Sequence, residues 1–427
     1  MKIIKNPKFE SWEAILKRPT PDYASLENDV KAIFQDIKVH GDASVLKYTK
    51  LFDGIDLEDM TVNPEELEKA SNGISPELKT SIDVAFDNIY KFHEAQIQEE
   101  LKVETQPGVT CWQASKPIQK VGLYIPGGTA PLFSSILMLG IPAKIAGCEE
   151  VALVTPPQKN GKVHPAMLYA AHKCGIKHIY QVGGIQAIAA LTFGTETIPK
   201  VYKIFGPGNQ YVTVAKQVAS SYDVSIDMPA GPSELLVLAD DTANPEYVAS
   251  DLLSQAEHGK DSQVILVTTS MEFAESTQKA LNEQLNKLPR IDIATKAIEH
   301  SKLIVVKDME TALKLTNQYS PEHLIICTEN EIEVANEIQN AGSVFIGNYT
   351  PESAGDYASG TNHTLPTNAY ARQYSGVNLD AFHKKITYQK ITAEGLKALG
   401  PHIEKMAETE ELQAHKNAVS VRLKDIR

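Results

Sequence analysis

A chain of 427 residues makes about three compact units, or two with appendages, at roughly 150 residues per domain, which excludes a single small binding module. Hydrophobic residues at 42% and charged residues at 22% match soluble globular proteins, so large cores can form and wholesale disorder is excluded. With 41 Lys and Arg against 54 Asp and Glu, the net charge of -13 has the wrong sign for gripping a polyanion, and no nucleic-acid partner is expected.

The chain opens with Lys2 and Lys5 but no apolar run behind them, so it does not read as a secretory signal. The first hundred residues read as helices joined by turns: an amphipathic run over 27–40 stopped by Gly41, a short one over 43–52, and a longer one over 76–97. In the last, Ile82, Ala85, Phe86, Ile89, Tyr90 and Phe92 share one face behind a Ser75-Pro76 cap. From about Val109 the texture changes to short runs rich in Val and Ile, each followed by a helix-length segment. Strands are predicted at 121–125, 151–155, 178–182 and 203–205, with helices built on 136–145 and 185–191. The apolar stretch 132–145 is interrupted by Pro142 and Lys144 and is too short to cross a bilayer, so a cytoplasmic protein without membrane contact is expected.

After Asp227 the alternation repeats, with strands predicted at 235–238, 264–268, 303–306, 324–327 and 343–346. Helix-length crossovers between strands imply parallel sheet, and hence an α/β fold. The segment 347–376, dense in Gly, Ser, Thr, Asn and Pro, is too long for an ordinary connection, and loops of that length are usually functional or disordered. An extended stretch over 386–391 and a polar helical tail close the chain. Cys111, Cys148, Cys174 and Cys327 are widely spaced without a Cys-x-x-Cys pair, which argues for reduced thiols rather than a disulfide framework or a thiolate metal cluster.

Three groups of residues offer chemistry. Gly-rich turns follow predicted strands at 124–129 and 206–209, where backbone amides at a helix N-terminus can hold a phosphate. Tyr211 stands where the dinucleotide fingerprint wants its third glycine, so taken alone these glycines favour tight strand-to-helix turns. A third turn, 228–233, puts the Ser233 hydroxyl at the junction of the two α/β units, a favoured place for pockets. The second group holds donors for a metal. Gln255 and His258, three apart on a helix ending at Gly259, share a face, while Glu257 points elsewhere; a His there also suits a helix-dipole contact. Asp356, His363 and His415 add nitrogen and oxygen donors, a set suited to zinc or another divalent metal. The third group is Ser320-Pro-Glu322-His323 ahead of an apolar run: either a general acid/base pair or, on spacing alone, a Ser-Pro turn with two exposed polar residues.

The segments LYIPGGTAPLFSSILMLGIPAKIAGC, GPGNQYV, DMPAGPSELLVLAD, LLSQAEHG, SPEHL, GDYASGTNHTLPT and AHKNAV resemble, in order from Val121 to Val419, the signature segments of the histidinol dehydrogenase family. The resemblance implies oxidation of L-histidinol through L-histidinaldehyde to L-histidine with two NAD. It implies zinc held by Gln255, His258, Asp356 and His415, with His323 as general base and Glu322 activating the water that adds to the aldehyde. Ser233, His363 and Glu410 would contact the substrate together with the zinc ligands and His323, and Tyr124, Gln186 and Asn209 would contact NAD. It further implies a homodimer in which the tail carries Glu410 and His415 into the partner's site. The fold then expected is two Rossmann-like domains with parallel sheets, an N-terminal helical segment and a small C-terminal tail domain. The boundaries are 1–120 (helical part of the first domain), 121–233 (NAD contacts), 234–377 (zinc and catalytic residues) and 378–427 (tail). A cysteine could instead form a thiohemiacetal, but Cys111 and Cys148 have no adjacent group in sequence to lower a thiol pKa. The rival readings are a zinc-dependent hydrolase and a non-catalytic metabolite-binding protein.

Overall fold

The computed structural model describes residues 1–19, 24–127, 130–229 and 231–426, with 24 and 25 described by backbone alone. Gly128 and Thr129 of the first Gly-rich turn and Ala230 of the third lie outside the described residues. The chain divides into two compact units, one formed by 1–96 and 118–381, the other by 97–117 and 382–427.

The larger unit holds two all-parallel sheets. The first runs, in spatial order, His178–Tyr180, Glu150–Val154, Lys120–Tyr124, Lys203–Phe205 and Ser225–Ile226. The second runs Lys2–Lys5, Lys302–Val305, Gln263–Thr268, Glu234–Ala239, His323–Cys327 and Ser343–Ile346. Apart from Lys2–Lys5, both sheets share one winding: the first two crossovers move outward on one side, then the chain returns to pair on the other side of the strand it began with. That return is a topological switch point.

Residue types account for the second sheet. Leu235, Val237, Val264, Leu266, Ile325 and Cys327 enter one core, while Leu236, Leu238, Ile265, Val267, Leu324 and Ile326 enter the other. Alternation at period two sends neighbours to opposite faces, and because helices cover both faces the middles of the central strands are apolar on both. The predicted break at Gly41 is present: the helical span Ala24–Asp53 kinks there at φ 51°, ψ -131°. The long predicted helix is Pro76–Glu94, with the Ser75 side chain accepting from the Leu78 amide and proline at the first turn.

The sequence places residues 1–120 with the first sheet. The structure instead pairs Lys2–Lys5 with Lys302–Val305 at the edge of the second sheet and buries Trp12 and Leu16 in that sheet's core. Residues 97–117 go elsewhere again. In the smaller unit the antiparallel strands His383–Ile391, Val109–Pro117 and Leu101–Gln106 lie side by side, with Trp112 stacked on Tyr388, beside helices Ala393–Thr409 and Gln413–Asp425.

Candidate active site

The site is built on the amino-terminal edge of the second sheet. His323 opens the strand His323–Cys327 and pairs in register with Leu235, so Glu322 and His323 stand beside Ser233 and Glu234 at the switch between those two strands. Helix Pro245–Ala256 runs back antiparallel to the strands, which returns its last turn, with Gln255, to the same edge. The 347–376 segment supplies a short helix, Glu352–Tyr357. Gly355 lets this helix press onto the last strand, since a Cβ there would lie 2.6 Å from the Phe345 ring.

These elements bring a set of polar groups together out of water. His323 is 3% exposed, Glu352 1% and Gln255 0%. His323 Nδ1 lies 3.1 Å from the Glu234 carbonyl oxygen and 2.9 Å from Gln255 Nε2. Its Nε2 is 3.6 Å from Asp356 Oδ1 and 3.9 Å from Glu352 Oε1. Glu322 Oε2 accepts the Glu234 amide at 2.8 Å and stands 3.6 Å from His323 Nδ1. His363 Nδ1 donates to the Asp356 carbonyl oxygen at 2.8 Å, and its Nε2 meets Ser135 Oγ at 3.1 Å, which ties the segment to the helix that follows the first sheet's strand Lys120–Tyr124.

The electrostatics follow from burial against charge. Burial opposes a charge on His323, but the carboxylates of Glu352, Glu322 and Asp356 outweigh it and raise its pKa well above the ordinary value. Burial pushes Glu352 up to about 8 and Asp251 up to about 7. Asp356 is held low despite burial by the His323 ring, with help from His363 and His258. His363 is lowered, chiefly by burial.

Whether a metal suits this place can be judged from the atoms left unpaired. Gln255 Oε1, His323 Nε2 and Glu352 Oε2 are buried without a hydrogen-bond partner, and a buried polar atom without a partner costs about 1–3 kcal/mol. Donor atoms of His323, Glu352 and Asp356 all lie within 4.8 Å of one another. Oxygen and imidazole donors without sulfur suit a divalent cation.

Of the residues singled out in the sequence, Gln255, Glu322, His323 and Asp356 converge here, with His363 and Ser233 adjoining them. His258 is exposed and lies past the helix rather than on it, because the helix ends at Ala256 with its cap at Glu257. Glu410 caps the helix Ala393–Thr409 and His415 lies on Gln413–Asp425, both exposed in the smaller unit. Glu352 was missed: it sits four residues before Asp356, a spacing that shares a helix face, but within a segment read as loop. Pro351 ahead of Glu352 was the available signal for a helix start. Glu234, Asp251 and Arg18 left no signal, since each acts through partners remote in sequence.

The first sheet offers a second feature at the carboxyl ends of its strands, also at the switch point. The Gly206 amide donates to Asp227 Oδ2 at 2.8 Å, and Lys216 pairs with Asp227 while donating to the Gly206 carbonyl at 2.8 Å. Gly206 has φ 128°, and a Cβ there would run into the Tyr124 carbonyl oxygen. The Tyr124 hydroxyl accepts the Gly184 amide at 3.3 Å. Gln186 Nε2 donates to Asp53 at 3.2 Å, leaving its Oε1 buried and unpaired. Asn209 caps the helix Gln210–Ala219 by accepting from the amides of Tyr211 and Val212. These residues lie at or near the carboxyl ends of the first sheet's strands, the end where open α/β sheets receive ligands. The four cysteines are free thiols, and burial pushes Cys148, Cys174 and Cys327 up to about 12.

The family profile described as histidinol dehydrogenase matches residues 16–423. The histidinol dehydrogenase of Bacteroides thetaiotaomicron is 59% identical over 427 residues, covering 100% of both chains. That of Shewanella oneidensis is 52% identical, covering 98% of this chain and 97% of its own. The crystal structure of histidinol dehydrogenase from Elizabethkingia anophelis superposes with a TM-score of 0.97 at 55% identity, covering 100% of this chain and 98% of that one. With a profile spanning nearly the whole chain and relatives this similar end to end, the chain belongs to the histidinol dehydrogenase family.

Proposed function

We propose that the chain oxidises L-histidinol through L-histidinaldehyde to L-histidine with reduction of two NAD, as a cytoplasmic homodimer. The observation that carries this reading is the buried Glu322–His323 pair set beside Asp356 and the orphaned Gln255 oxygen. Zinc would be held by Gln255, His258 and Asp356 with His415 of the partner subunit. Bound zinc would fix the substrate's pose and offset the carboxylate charge around His323, and bound NAD would accept the hydride.

The protein's own residues do the rest. His323 takes the alcohol proton, without which the carbinol C–H bond cannot release hydride. Its Nε2, buried without a hydrogen-bond partner among the described residues, is the ring atom that receives it. Glu322 then removes a proton from the water that adds to the aldehyde while the carbonyl oxygen takes the proton held on His323, giving a hydrate whose hydroxyl proton passes to the once more neutral His323. Ser233, His363 and Glu410 of the partner subunit orient the substrate, and near-attack placement of this kind supplies several kcal/mol. On the first sheet, Tyr124, Gln186 and Asn209 contact NAD. The raised thiol pKa values of Cys148, Cys174 and Cys327 speak against thiohemiacetal chemistry at those positions.

The deciding experiment follows NADH absorbance after addition of L-histidinol. Two NADH per substrate are expected. No NADH would turn the reading toward a zinc-dependent hydrolase or a binding protein, and one would end the four-electron proposal.

A further inference from the structure

We infer that Arg18 and Glu234 are positioning residues for the Glu322–His323 pair, an inference that rests on the dehydrogenase reading above. The peptide groups of one residue, Glu234, meet both side chains: its amide donates to Glu322 Oε2 at 2.8 Å, and its carbonyl oxygen lies 3.1 Å from His323 Nδ1 and accepts Gln255 Nε2 at 3.4 Å. Any shift of this peptide re-aims the base and the water-activating carboxylate together. Yet Glu234 is the first residue of its strand, where the sheet constrains the backbone on one side only.

The Glu234 side chain supplies the missing constraint. Its carboxylate, 2% exposed, accepts Arg18 Nε at 2.5 Å and Nη2 at 2.8 Å, and also the Asn368 amide at 2.7 Å. Arg18 is fixed in turn. Its Nη2 donates to the Tyr319 carbonyl at 2.7 Å and its guanidinium lies 4.0 Å over the Tyr319 ring. The Tyr319 hydroxyl donates to Gln263 Oε1 at 3.0 Å, and Gln263, the register partner of Glu234, reaches back to the Lys17 carbonyl at 3.0 Å. The N-terminal segment thus closes a ring of hydrogen bonds behind the catalytic pair, anchored by Trp12 and Leu16 in the core.

A buried ion pair is weak evidence for stability, because desolvation offsets the attraction. What a bidentate fork adds is orientation, since two parallel bonds fix the plane of the carboxylate. Here that plane belongs to the residue on which both catalytic side chains hang.

The test compares Arg18→Ala, Arg18→Lys and Glu234→Gln with the parent, all zinc-loaded. Misplacement of a catalytic group by about 1 Å costs up to ~10²-fold in rate. Arg18→Ala and Glu234→Gln should therefore lose about tenfold or more in kcat, with KM for L-histidinol and zinc content within about twofold of the parent. Arg18→Lys should fall between, because it keeps the charge and loses the fork. In histidine-labelled protein, the ring-nitrogen resonances of His323 should move in Arg18→Lys and Glu234→Gln. Lowered Tm with unchanged kcat, loss of zinc, a rise in KM without loss of kcat, or unmoved resonances would each overturn the inference. Should Arg18→Ala fail to fold, the other two variants decide. If the parent itself forms no NADH, the dehydrogenase reading fails while the resonances still decide the positioning.

Discussion

At His323, burial and charge pull in opposite directions. Burial alone would favour a neutral imidazole, but three carboxylates gather around the ring and their field wins. A base must be unprotonated to act, so the arrangement makes chemical sense once an opposing positive charge shares the carboxylates. In the proposed mechanism the neighbouring Glu322 carries a separable duty. Glu322→Gln keeps the shape and removes the proton acceptor, so it should slow water addition more than alcohol oxidation, by on the order of 10²-fold. Single-turnover kinetics with histidinol and with histidinaldehyde check this, and equal slowing of both half-reactions would refute the division of labour. Asp251, one helical turn before Gln255, bears on stability instead. Burial raises its pKa from 3.8 to about 7. Below the lower value both folded and unfolded forms hold the proton; above it the unfolded chain ionises first, so stability falls between about pH 4 and about pH 7, by on the order of a few kcal/mol. In chelator-treated protein, Tm of Asp251→Asn should decline less across that window than Tm of the parent. Equal slopes would show that the carboxyl is not held protonated.

The elements explain why the donors meet. Gln255 reaches the amino-terminal edge of the second sheet because its helix runs antiparallel to the strands it connects, and Asp356 and Glu352 arrive on a short helix seated on Phe345 through Gly355. The Gly206 turn does the corresponding work on the first sheet, where its left-handed conformation brings the backbone against Tyr124. Gly206→Ala should therefore destabilise the protein by about 2 kcal/mol or more and weaken NAD binding further than histidinol binding. Thermal unfolding together with NAD titration checks it; an unchanged Kd for NAD would separate this turn from the cofactor. The helix Glu352–Tyr357 was hidden in the sequence because six residues carry too little periodicity to stand out in a Gly- and Ser-rich stretch.

For the whole molecule, the proposal turns on two units. Gln255, His323 and Asp356 belong to the larger one, while Glu410 and His415 are exposed on the smaller. If the smaller unit serves a neighbouring copy, a chain ending at Thr409 should lose zinc and turnover together. His415→Asn should do the same without disturbing the fold, because an exposed substitution usually changes stability by less than about 0.5 kcal/mol. Metal analysis of the dialysed variants decides, and full zinc content in either would remove His415 from the ligand set. Among the described residues no helix is long and apolar enough to cross a membrane.

The sequence by itself determined what depends on neighbours along the chain: the inner strands and the longer helices of both α/β units, the break at Gly41, and the adjacency of Glu322 and His323. Period-two and helical patterns are local, so they survive in one dimension. Only the tertiary structure decided which sheet Lys2–Lys5 joins, that Val109–Pro117 pairs with His383–Ile391 from far along the chain, and that Glu352, Glu234 and Arg18 gather around Glu322 and His323. Strand pairing and buried ion pairs depend on which surfaces meet once the cores close, and those surfaces leave no periodic trace in the order of residues.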